Sequence, residues 1–370
     1  MLPPCVRRLC IRLLDFVQGC LLYIPLIIIF VQSRVKSSSG RKPWDESQIP
    51  ALDGKVAVVT GANTGIGYQT ARHLALHGAR VYLAARREAA AKTAIRRLAE
   101  ENPSIPRHKL IWLSLDLASQ ASVSRAAREL RAKEKRLDIL VNNAGVDPYE
   151  YSRTSDGFET AMAVNHIGHW TLTYCLLPLL KKTAAEAGSD VRVVTVSLLT
   201  LNSNPKHTYI RNRFTSPKDL DDSCTRRGWE NSCLGQTLRY GTSKQANILF
   251  ASELQRRLDA ENHDIISLSI QPGIVKTKGA SQAMPLVARP LLWLFTDGAR
   301  EGARTSLFAA TAEEVKRDSE VWKGRYLDGP GEIGVPSLRA RDWGLAGNLW
   351  HLTEGAVRAT GALDKVIVKG

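Results

Sequence analysis

Val56-Ala57-Val58-Val59-Thr60-Gly61-Ala62-Asn63-Thr64-Gly65-Ile66-Gly67 is the stretch whose reading decides the fold. The β-branched run from Val56 to Val59 predicts a strand. The apolar-periodic residues after Gly67 predict a helix, with Ala71, Leu74 and Ala75 inward and Gly78 terminating it. Between the two lies a tight turn with glycines where a dinucleotide must approach the backbone. Gly61 permits the turn, Gly65 lets a pyrophosphate come close, and Gly67 lets the helix pack on the sheet, so the phosphates sit at the positive end of that helix. Asn63, Thr64 and Ile66 complete the loop. A nicotinamide nucleotide is the ligand to expect, although the turn alone would equally suit an ordinary β-turn before a helix.

Outward from that turn the chain alternates strands and helices. Residues 80–85 predict a second strand, 109–115 a third, 137–141 a fourth and 191–196 a fifth. The fourth ends in Asn142-Asn143-Ala144-Gly145, and Asn165, Tyr240-x-x-x-Lys244 and Pro272-Gly273-Ile274-Val275-Lys276-Thr277 follow in order. This ordered set resembles the short-chain dehydrogenase/reductase superfamily over residues 52–327. The glycine spacing matches its simple oxidoreductases, whereas epimerase-like relatives carry Gly where this chain has Thr64. Trp350-His351-Leu352-Thr353-Glu354 resembles the tail helix of the retinol-dehydrogenase-like, often fungal, branch. The resemblance implies an α/β fold: a single doubly wound Rossmann-type domain, with a parallel sheet flanked by helices, over 43–335. Residues 1–42 then form a membrane anchor and basic linker, and 336–370 a helical tail.

In such a sheet ligands bind at the carboxyl ends of the strands. After the second strand the chain reads Ala84-Ala85-Arg86-Arg87. A carboxylate there would bond the ribose hydroxyls of NAD, and a cation would neutralise the 2′-phosphate of NADP. Arg86 therefore points to NADP(H), unless both arginines are merely solvated helix-start residues. By resemblance Asp116 sits under the adenine, Asn143 lies on the cofactor edge, and Val275 and Thr277 line the nucleotide.

Hydride transfer to a carbonyl leaves an alkoxide that needs a proton, and the reverse oxidation needs a base. A phenol serves both if its pKa falls from about 10 toward neutrality. An ammonium one helical turn away favours phenolate, and Tyr240 and Lys244 have the i, i+4 spacing to share a helix face. Tyr240 is thus the expected acid/base, with Lys244 also gripping the nicotinamide ribose. Asn165 matches the family position that holds a water relaying protons to the lysine. One position departs from the pattern. The fifth strand normally ends in two hydroxyls, the second bonding the substrate oxygen, and here the pair is Ser197-Leu198. Either Ser197 takes the role by a one-residue shift, or Thr200 or Ser203 substitutes, or the contact is missing. A missing donor of this kind lowers rates by about 100-fold or more, and a nucleotide-binding scaffold or sensor is the alternative reading.

The 370-residue chain has a net charge of +15, of which the first 42 residues contribute +6 from seven Lys/Arg and one acid. The rest is scattered, with no basic face or reading module for nucleic acid. No Cys-x-x-Cys pair occurs, and Cys175, Cys224 and Cys233 in the domain suit a reducing compartment, with a Cys224–Cys233 pair left open for an extracellular loop. His166 with His169, and His73 with His77, lack acidic or thiol partners at ligand spacing, so they read as packing or surface residues and no metal is expected. From Phe16 to Val31 only Gln18 is strongly polar, between Arg7, Arg8 and Arg12 before and Arg34, Lys36, Arg41 and Lys42 after. That run rises about 24 Å against a hydrocarbon core of about 30 Å, which predicts a retained anchor, the rival being a cleaved signal peptide. With the apolar run 284–295 in the family's substrate-lid region, it points to a membrane-bound enzyme acting on a lipophilic alcohol or carbonyl. The endoplasmic reticulum, with the domain in the cytosol, is the expected site. Dimerisation through the helices after Gly157 and Tyr240 is what the resemblance implies.

Overall fold

The computed structural model describes residues 44–198, 212–225, 228–273 and 298–364. The expected anchor, Thr200, Ser203, Val275, Thr277 and the 284–295 run lie outside the described residues. Among the described residues no helix is long and apolar enough to cross a membrane.

Eight strands form one sheet in the order β3-β2-β1-β4-β5-β6-β7-β8. They are β1 (Val56–Thr60), β2 (Arg80–Ala85), β3 (Leu110–Ser114), β4 (Ile139–Asn142), β5 (Val191–Val196), β6 (Ile265–Ile270), β7 (Tyr326–Gly329) and β8 (Glu332–Ile333). All pairings are parallel except the β7–β8 hairpin. The strand order reverses direction between β1 and β4, which is where an open sheet of this kind parts its loops and leaves a crevice. Asp138 sets the register there. Its buried carboxylate accepts the Val56 amide at 2.9 Å and pairs with Arg136 and Lys55 at 2.6 and 3.1 Å.

The period-2 geometry of a strand sends alternate side chains to opposite layers. Val56 and Val58 of β1 join the layer holding α3 (Gln120–Lys133), α4 (Gly168–Ala184) and α5 (Cys233–Ala260). Ala57 and Val59 join the other layer, with α1 (Gly65–Leu76), α2 (Glu88–Glu101) and α6 (Ala299–Thr311). The residues just before β1 are strapped to α6, with Trp44 edge-on to Phe308 at 5.6 Å and Glu46 paired with Arg300 and Arg304. Part of the long connection before α5 is folded rather than loose: Phe214 and Leu220 are buried in the α3–α5 layer.

The C-terminal helix α7 (Trp343–Ala359), capped by Asp342, is part of that same layer. Trp350 stacks on Phe250 of α5 at 6.0 Å, meets Trp170 of α4 edge-on at 5.3 Å, and carries the Arg257 guanidinium over its ring at 4.5 Å. Thr353 reaches His166, and Glu354 with Arg358 reaches Tyr174. The helices that the resemblance pairs with a second copy are therefore covered on these faces by the chain's own tail. Truncating Trp350 would leave a cavity against two helices. Trp350→Ala is expected to lower unfolding free energy by about 3–5 kcal/mol in chemical denaturation.

Candidate active site

β1 ends at the glycine turn, and the turn is shaped by close approach. Gly61 (φ 66°) bonds its amide to the Ala84 carbonyl at 2.8 Å, and a Cβ on Gly67 would come within 2.5 Å of the Asn143 amide nitrogen and 2.7 Å of the Gly61 carbonyl. Gly65 differs: its φ is 60°, yet a Cβ there would meet nothing within 4 Å. Its backbone thus borders open space at the first turn of α1, which has no acidic residue and no side-chain cap from Thr64. Unsatisfied amides and a positive helix end suit an anion, so the loop fits a dinucleotide pyrophosphate. Asn63, Thr64 and Ile66 are partly or fully exposed along it. Arg86, just past β2, is exposed and has no ion-pair partner among the described residues. Asp116 lies past β3, its carboxylate accepting the Ala118 amide at 3.0 Å.

Asn143 holds the turn together. Its side-chain nitrogen donates to the Thr60 carbonyl at 2.8 Å, and its backbone amide and that of Ala144 both donate to the Thr60 hydroxyl at 2.9 Å. Past Gly145, both backbone groups of Val146 pair with the Asn165 side chain, the amide to Oδ1 at 2.8 Å and the carbonyl from Nδ2 at 2.9 Å. Nδ2 also donates to the Ser243 hydroxyl at 2.9 Å. Asn165 is fully buried in a π-helical turn, Ala163–Ile167, that runs into α4, where an ordinary helix was expected. The extra residue of a π turn re-aims side chains relative to the helix on either side, and such turns recur at functional sites.

Tyr240 and Lys244 lie on one face of α5. The Lys244 ammonium donates to the Val196 carbonyl at 3.2 Å, sits 5.6 Å from the Tyr240 ring centre, and would lie 3.3 Å from a Cβ on Gly145. The pair therefore stands at the ends of β4 and β5, beside the segment that braces the glycine turn. Its electrostatics differ from the sequence expectation. Burial, and then the Asp147 carboxylate, pushes the Tyr240 phenol well above its ordinary 10. Burial also brings Lys244 down to about 8, against the pull of Asp147. The ammonium is turned to a backbone carbonyl and makes no hydrogen bond to the phenol oxygen. Asp147 stands at the exposed rim of the site, where loss of water around its carboxyl raises it to about 6 against a Gln236 hydrogen bond and the Arg239 and Lys244 charges.

Ser197 is buried, and its hydroxyl donates to the Lys244 carbonyl at 2.6 Å. That proton is committed to holding β5 on α5, so the one-residue shift that would bring Ser197 to a substrate oxygen does not occur in this structure. Among the described residues no group of three or more His, Cys, Asp or Glu could hold a metal ion.

Comparison with known proteins places the chain among relatives of one family. Residues 55–207 match the family model described as short chain dehydrogenase. A short chain dehydrogenase/reductase of Colletotrichum higginsianum, dpchH, is 60% identical over 366 residues, covering 99% of this chain and 90% of that protein. Retinol dehydrogenase 12 of Mus musculus is 37% identical over 335 residues, covering 90% of this chain and 94% of that protein. Among solved structures, an uncharacterized protein from Mycobacterium Paratuberculosis aligns with TM-score 0.63 and 31% identity, over 86% of this chain and 98% of its own. The Pseudomonas aeruginosa RhlG/NADP active-site complex aligns with TM-score 0.53 and 25% identity, over 75% and 96%.

Ser197→Ala is expected to lower stability by about 1 kcal/mol, the net worth of one buried hydrogen bond, while turnover stays within about threefold of wild type. Thermal melts and steady-state rates on the same preparations check this.

Proposed function

The chain belongs to the short-chain dehydrogenase/reductase family, and on that premise we propose that it interconverts a hydrophobic alcohol and its carbonyl, with NADP(H) as cofactor, at a membrane. The observation that carries the reading is the meeting of Tyr240 and Lys244 with the Gly145–Val146 segment at the sheet's ligand edge.

The open backbone at Gly65 and the exposed Arg86 would hold the pyrophosphate and 2′-phosphate of a nicotinamide dinucleotide, which would supply or accept the hydride. The remaining work belongs to the chain. Tyr240 keeps its proton at neutral pH, since burial disfavours phenolate, and so stands ready to protonate an oxygen that gains negative charge. Lys244 then balances the phenolate left behind. Leu198 offers no hydroxyl to that oxygen, and Thr200 and Ser203, the other candidates, lie outside the described residues. The apolar runs at 16–31 and 284–295 support a lipophilic substrate and membrane attachment.

Tyr240→Phe is expected to lower carbonyl reduction by about 100- to 10,000-fold with NADPH affinity unchanged, tested in detergent on a panel of lipophilic aldehydes and ketones. Unchanged turnover would remove the mechanism. Wild-type reduction should decline as pH rises through about 8, where Lys244 loses its charge. Arg86→Ala should weaken NADPH by about 10-fold or more while leaving NADH unaffected, and equal loss of both would exclude the 2′-phosphate contact. Release of the full chain from membranes by alkaline carbonate would count against an integral anchor.

A further inference from the structure

His169, the second residue of α4, is fully buried beside the apolar Trp170, far from any charged partner on the surface. Its two ring nitrogens nonetheless face different parts of the site. Nδ1 lies 2.9 Å from the Asn165 carbonyl, and Nε2 lies 2.8 Å from the Thr60 hydroxyl. A carbonyl can only accept, so Nδ1 carries the hydrogen. The charged groups acting on the ring reduce to Lys244, which together with burial pushes His169 down to about 4 and keeps it neutral. Nε2 is then a bare acceptor, and the Thr60 hydroxyl must donate to it. The competing carbonyl, Val141, is farther away at 3.4 Å. With its proton so directed, the Thr60 oxygen presents its lone pairs to the Asn143 and Ala144 amides, both at 2.9 Å.

We propose that His169 is a positioning residue: one ring joins the Asn165 π turn to the Thr60 hydroxyl, and thereby locks the glycine turn and the 143–146 segment in register with the Tyr240 helix. A leucine or phenylalanine could fill the same space, but would leave the Thr60 proton only the more distant Val141 carbonyl and the Asn165 carbonyl without this donor. The inference rests on the nucleotide-site reading for its effect on function, and on the ring's own geometry for its existence.

The test uses the full chain in detergent, with NADPH binding followed by fluorescence. A glutamine places an acceptor near the Nε2 position, whereas an asparagine reaches only the Nδ1 position. His169→Gln is therefore expected to keep NADPH affinity within about threefold, and His169→Asn and His169→Leu to weaken it by about 10-fold or more. Thr60→Val should weaken it similarly, and the Thr60→Val/His169→Leu double variant should be no weaker than Thr60→Val alone. Affinities that simply track melting temperature across the series, or effects that multiply in the double variant, would overturn the proposal. Failure of wild type to bind NADPH or NADH would instead sink the functional reading. In that event the 15N spectrum of the His169 ring decides: Nδ1–H with a bare Nε2 from pH 8 to 5 supports the proposal, and an Nε2–H ring refutes it.

Discussion

Where the loops after β1 and β4 leave the sheet, the half-buried amides of Asn143 and Ala144 run past the last ladder bond. The Thr60 hydroxyl takes both at 2.9 Å. The Asn143 amide also reaches the Val141 carbonyl at 3.0 Å, so Ala144 depends on this oxygen most, and leaving a buried donor unsatisfied costs about 1–3 kcal/mol. Asn143 adds a third tie through its side chain to the Thr60 carbonyl. The glycine turn is held on one side by these bonds, with the His169 ring behind the Thr60 hydroxyl, and closed on the other by the tight contact at Gly67.

The acid/base pair depends on that scaffold in a second way. Ser197 and Asn247 anchor α5 to β5 through the Lys244 and Val196 carbonyls, and Asn165 clamps Val146 and Ser243 to the same helix. Rigid support of this kind keeps water out, and dryness governs protonation. The phenol holds its proton and the amine is easier to neutralise, the opposite of what spacing alone suggested. An i, i+4 repeat reports who shares a face; it does not report how much solvent that face has lost.

The same distinction separates what could be read from the chain and what could not. Residues 80–85 and 191–196 appear as strands with the limits their β-branched pattern implied, and the Tyr240 helix follows its apolar period through Leu258. These are local signals. The covering of α4 and α5 by α7 is set by contacts such as Trp170 with Trp350, separated by most of the domain. The Thr60–His169 bond spans 109 positions, and a histidine between Gly168 and Trp170 carries no periodicity that would mark it. The π turn at Asn165 is likewise invisible, since one extra residue per turn changes no composition. Ser197 was visible as a hydroxyl at a strand end, but its direction depended on a helix beginning 36 positions later at Cys233.

Because Leu345, Leu349, Trp350 and Val357 belong to the same apolar layer as Val56 and Val58, synthesis and folding are coupled in a definite order. As the ribosome extrudes the chain, the sheet from β1 to β6 emerges with one side of α5 still bare. That side closes only when residues near 360 have left the exit tunnel. Until α7 packs on it, the nascent chain exposes that apolar side of α5, and exposed apolar surface of this kind favours aggregation.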